Sequence, residues 1–211
     1  MTGLACNAAK EGTSMSRGRV AGMLVVVALS GLARAQYLPP AQVDFFSLMQ
    51  LGIDPGLLKE MATLPKGAEL AARVDDLGKV QKAGLGYREM KKGDSAVLTS
   101  LGEHHWKLAL CSVKQVVTRV APPGHADFVT AAELGVRPCV PGGGKVAMNR
   151  EYVGRVVAPE KLAEKGIKGT KKGDAVVFAK IAGNRWRLKL LDPRNEATLV
   201  YRPATWEVKK K

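Results

Sequence analysis

The chain has 211 residues, room for one medium domain or two small ones. Its hydrophobic fraction of 46% is that of a globular protein, which sets aside a chain too polar to fold. Lys and Arg outnumber Asp and Glu by 33 to 19, a net +14 that suits an anionic partner such as nucleic acid, anionic lipid or cell-wall polymer, and equally a solvated surface.

Residues 1–35 read as a signal peptide. Arg17 and Arg19 make a basic start, Val20 to Ala33 an apolar run, and Ala33-Arg34-Ala35 a small-x-small cleavage pattern before Gln36. The run is shorter than the roughly 20 residues of a membrane span, so no transmembrane span is expected after cleavage. Met15 is a second candidate start. Cleavage takes away four basic residues and one acidic residue, leaving +11. It also takes Cys6 and leaves Cys111 and Cys139, an even pair that reads as a disulfide in a secreted or periplasmic chain.

Residues 36–65 read as a helical N-terminal segment. Ala41 to Leu51 has Phe45, Leu48 and Met49 at helical spacing with Gly52 as a stop, and Asp54-Pro55 opens a second short helix. Leu64-Pro65-Lys66-Gly67 is turn chemistry that leads into a first β module, residues 66–120. Glu69 to Arg88 is ambiguous between loop, strand and helix. Strands are expected over Ser95 to Leu101, His105 to Leu110 and Val113 to Val120. A Pro/Gly-rich linker follows at 121–144, with Ala126 to Leu134 as one or two helical turns. The second β module, 145–208, has strands at Glu151 to Val157, Ala175 to Ile181, Trp186 to Leu190 and Ala197 to Tyr201. Asp192-Pro193-Arg194-Asn195 reads as a turn, Trp206-Glu207-Val208 as an edge strand and Lys209 to Lys211 as a disordered basic tail.

The two modules carry the same string. Lys91-Lys92-Gly93-Asp94 followed by Trp106-Lys107-Leu108-Ala109-Leu110 matches Lys171-Lys172-Gly173-Asp174 followed by Trp186-Arg187-Leu188-Lys189-Leu190, at a constant offset of 80. Arg73 and Gly84 match Arg155 and Gly166 at an offset of 82. A match of this length points to an internal repeat.

Lys-Lys-Gly-Asp, a strand, a Gly-containing hairpin and Trp-Lys-Leu together resemble bacterial SH3-like modules, over Met90 to Leu110 and Thr170 to Leu190. The resemblance implies a mainly β protein with minor α, two duplicated small SH3-like barrels preceded by two short helices. It further implies a non-enzymatic envelope module that binds cell-wall polymer, wall peptide or an envelope protein.

Signatures of catalysis, cofactor binding or metal binding are not found in the pattern. His104-His105 point to opposite faces of a strand, Cys111-Ser112 has no nucleophile signature, and Asp94 and Asp174 sit where turn-forming Asp is usual. Gly142 to Lys145 lacks the second half of a phosphate-binding loop. Trp106 and Trp186 are either stacking platforms or core residues in phase with their leucines. The candidate ligand surface is Trp106, Lys107, Arg185, Trp186, Arg187 and Lys189, a basic stripe that would also serve nucleic acid.

Overall fold

The computed structural model describes residues 47–55, 64–120, 127–139, 144–202 and 205–210. The segment 1–35 read as a signal peptide, and positions 56–63 of the expected second helix, lie outside them. Among the described residues nine strands form one antiparallel sheet: β1 (Ile53–Asp54), β2 (Glu69–Val74), β3 (Ser95–Gly102), β4 (His105–Val120), β5 (Val136–Pro138), β6 (Glu151–Val156), β7 (Ala175–Ile181), β8 (Arg185–Arg202) and β9 (Thr205–Lys210). The sheet order is β1-β2-β3-β4-β8-β7-β6-β5, with β9 paired to β8. Three short helices lie between strands: α1 (Leu77–Lys82), α2 (Asp127–Glu133) and α3 (Pro159–Glu164). Residues 47–50 are helical as well.

The mainly β reading holds, and the two separate barrels do not. β4 and β8 pair with each other from His105↔Val200 to Val120↔Arg185, which joins both halves into a single open sheet. Strands of this length were concealed by the sequence pattern at their midpoints. Asp192 to Asn195, expected as a turn, lies within β8: Leu110 faces Asn195 and Cys111 faces Pro193, so Arg194 is an extra residue, a β-bulge. Lys114 is the matching extra residue on β4, between Val113↔Leu191 and Gln115↔Leu190. Proline cannot donate to a ladder, and a bulge is where a paired strand tolerates it.

Each half has the same element order. A strand pair, a one- to two-turn helix and a long hairpin make up β1-β2-α1-β3-β4 in the first half and β5-β6-α3-β7-β8 in the second. The stretch read as a linker, 121–144, contains α2 and β5, and β5 pairs with β6 at Val136↔Val156 just as β1 pairs with β2 at Ile53↔Val74. Asp54 accordingly lies in a strand rather than capping a helix. Lys209 and Lys210, read as tail, belong to β9 and pair with Thr198 and Ala197.

Gly52 and Gly135 mark the entry to these edge strands. Both have positive φ, +80° and +89°. The carbonyl of Gly52 accepts from the backbone N–H groups of Asp75 and Asp76, and that of Gly135 from Val157 and Ala158. A Cβ on Gly52 would stand 2.3 Å from the Asp76 carbonyl oxygen, and one on Gly135 2.7 Å from that of Ala158. Strain and backbone collision add, so Gly135→Ala is expected to cost about 2–3 kcal/mol, read as a lower urea midpoint at unchanged slope.

Period-two alternation sends each strand's residues to two different cores. Leu70, Ala72 and Val74 of β2, Ala96 and Leu98 of β3, and Trp106, Leu108 and Leu110 of β4 join Leu48 and Val80 in a first cluster. Val156, Val176, Phe178, Trp186, Leu188 and Leu190 join Ala131 and Leu162 in a second. The alternate positions, Val97, Ala109, Val153, Ala175 and Val177, with Cys111 and Leu191, form a third cluster between the halves. Strands covered on both faces read as near-continuous apolar runs, as Ala175 to Ala179 does. At their bulges β4 and β8 pass from one core to the other. Ala197 and Leu199 of β8 complete the first cluster, and Val117 of β4 packs on the second.

Candidate functional site

Trp106 and Trp186 lie in the first and second cores at 5% and 0% exposure, so neither ring has a face to offer a ligand. Trp186 stacks obliquely on Phe178, with ring centroids 5.8 Å apart. The leucines in phase with each Trp decide this: a side that carries three large apolar residues is the side that is buried.

The cations of the expected stripe separate. Lys107 pairs with Glu196 at 3.0 Å. Arg185 donates to the Ala182 carbonyl in its own hairpin at 3.0 Å. Arg187 and Lys189 converge instead on Glu151, at 3.7 and 2.6 Å from Oε1. Glu151 stands beside Ala179, and Ala179 beside Arg187, so a small residue separates acid from base across two ladder steps. A third cation comes from the first half: Arg73 Nε donates to Glu151 Oε2 at 3.2 Å.

The bridge from Arg73 has a counterpart. Arg155 of β6 reaches across to Glu69 of β2, with Nε donating to Oε2 at 2.9 Å and Nη2 paired to Oε1. The arrangement is reciprocal: each of the strands β2 and β6 carries a Glu and, four residues on and on the same face, an Arg, and each Glu takes the Arg of the other strand. Between the two bridges lie Ala71 and Val153 in the third cluster. Arg155 also donates to the Gly173 carbonyl.

The two sites differ in charge. Glu69 receives Arg155 and a hydrogen bond from the Thr99 hydroxyl, and its N–H donates to the Cys139 carbonyl. Glu151 receives three cations while its own side chain is 6% exposed. Burial pushes the Glu151 carboxyl up, Lys189 and Arg73 push it down harder, and its pKa ends below the ordinary Glu value. For Arg155 burial lowers the pKa and the Glu69 carboxylate overrides it, for a net rise.

A cavity of about 430 Å³ opens beside Glu151, lined by residues of both halves that include Asp54, Arg73, Met148 and Arg150. Arg150 also lies over the Tyr152 ring, 5.6 Å from its centroid. Comparison with known protein families, curated proteins and solved structures found no match to this chain.

Cys111 and Cys139 are free thiols, not the expected disulfide. Cys111 is buried in the third cluster and Cys139 packs against it. Burial pushes both thiols up to about 12, so neither is a thiolate at neutral pH. Asp94 and Asp174 are turn formers: each accepts from the backbone N–H three residues earlier, Lys91 and Lys171, at 2.8 Å.

Sequence reasoning picked out Arg187 and Lys189 and missed Arg73, Glu151 and Arg150 as their companions. The available signal was the Glu-x-x-x-Arg spacing at Glu69/Arg73 and Glu151/Arg155, two pairs at the same offset of 82, which sets them apart from the same spacing at Glu133/Arg137. Only its arginines had been matched.

Proposed function

We propose that the chain is an exported, non-enzymatic binding module built from a duplicated β unit, which docks an anionic or peptidic component of the cell envelope. The signal-like segment at 1–35 supports export, and the shared element order of the halves supports duplication. The observation that carries the reading is the convergence of Arg73, Arg187 and Lys189 on the single carboxylate of Glu151, of which Arg73 and Glu151 line a cavity formed by both halves. Three cations on one acid leave a local excess of two positive charges, and a fixed excess of this kind attracts and orients a negatively charged partner.

Incubation of the purified protein with isolated cell-wall sacculi, followed by pelleting at low and high salt, tests this. The protein is expected to pellet at both, including at roughly 0.5 M salt, where attraction between exposed charges is strongly screened. Release by salt would reduce the interaction to bulk charge, and DNA and anionic vesicles would then be compared under the same conditions. Failure to pellet at either salt would sink the wall-binding reading.

A further inference from the structure

The two Glu–Arg sites are an internal control for each other. Glu69 and Glu151 hold equivalent places in β2 and β6, and so do Arg73 and Arg155. One cross-half pair at Glu69 is enough for the fold there. The position matching Arg187 is Lys107, which turns away to Glu196, and the position matching Lys189 is Ala109. At Glu151 both positions are cationic and both engage the carboxylate. Packing two cations that the equivalent site does without raises mutual repulsion, a cost that a bound anion would offset.

Resting on the binding-module reading above, we propose that the cavity beside Glu151 takes the carboxylate of a small, partly apolar organic acid, such as the free C-terminus of a short peptide. Three features select that class. Arg73 stands in the lining with its side chain half exposed, and Arg150 stands in the same lining. A guanidinium presents a planar fork that matches a carboxylate in two parallel hydrogen bonds. Ala71 and Met148, the latter 49% exposed, give an aliphatic group a surface to cover. The volume, about 430 Å³, is that of a small-molecule pocket.

Isothermal titration of the full chain with N-acetyl-alanyl-alanine, its C-terminal amide and inorganic phosphate tests the proposal. The acid is expected to bind, the amide at least about tenfold more weakly, as loss of a charge-assisted fork implies, and phosphate more weakly than the acid because it has no aliphatic group to cover Ala71 and Met148. Arg73→Ala should weaken the acid about tenfold or more, and Lys107→Ala, at the position matching Arg187, should leave it unchanged. If Arg73→Ala lowers the melting temperature too far to titrate, Arg150→Ala, outside the Glu–Arg pairs, decides by the same criterion. Equal binding of acid and amide, tighter binding of phosphate, no heat with the folded wild-type chain, or a decisive Arg variant that still binds fully would each overturn the site. Sacculus pelleting by a chain that fails to bind the acid would overturn this site while leaving the wall-binding reading intact. Acid binding without pelleting would support the site and overturn that reading.

Discussion

Trp186→Ala is expected to destabilise the protein by about 3–5 kcal/mol, a large part of the 5–15 kcal/mol that holds a typical domain together. The side chain is fully buried and packs on Phe178, which in turn stacks on Tyr152. Its removal opens a void in a core built from three elements that cannot close independently, since β7 and β8 are fixed by their ladder and α3 by Leu162. Urea unfolding followed by circular dichroism reads the loss. Trp186→Phe should cost far less, on the order of 1–2 kcal/mol, because among the described residues the indole Nε1–H has no hydrogen-bond partner to lose. A cost for Phe as large as for Ala would show that the ring's size is not what matters.

The second large effect is expected at Glu151. Glu151→Ala leaves Arg73, Arg187 and Lys189 facing one another with their common counter-charge gone. The expected loss is about 2–3 kcal/mol, below the range for a fully buried pair because Arg73 and Arg187 reach solvent. Glu69→Ala, which strands Arg155 alone, should cost less. The pH dependence has a definite sign. The folded pKa of Glu151 lies below its unfolded value, so the contribution is present in full above the ordinary Glu range and fades as pH falls through the depressed folded pKa. Asp127 adds in the same sense: burial raises its pKa, but Lys180 and the Val146 N–H outweigh it and the net shift is downward. Melting temperatures of wild type and Glu151→Gln across pH 3–7 should converge at the acid end. A constant gap between the two would rule out the carboxylate charge as the cause.

The local parts of this fold were legible because local chemistry governs them. The Gly-Asp turns, the hairpins and the Trp-x-Leu-x-Leu strands follow from residues within a few positions of one another. The joining of the halves was not, because it depends on pairing between β4 and β8 across some 80 positions. Pro193 reads as a turn by propensity, and a long partner strand overrides that by absorbing it at a bulge. The linker reading failed for another reason. Leu134-Gly135-Val136 matches Leu51-Gly52-Ile53 at an offset of 83, and the prolines and glycines around it hid a strand of only three residues. At the site, the basic stripe was half legible. Lys107 and Arg187 match in sequence, but Lys107 meets Glu196 and Arg187 meets Glu151, and no spacing along the chain announces which acid each will face.

The crossing of β4 and β8 sets the order in which the molecule can be finished. The first core contains Ala197 and Leu199, and Val208 of β9 packs against it. Synthesis runs from the N-terminus, so the first core, whose strands β2 to β4 are made early, stays incomplete until β8 and β9 have emerged.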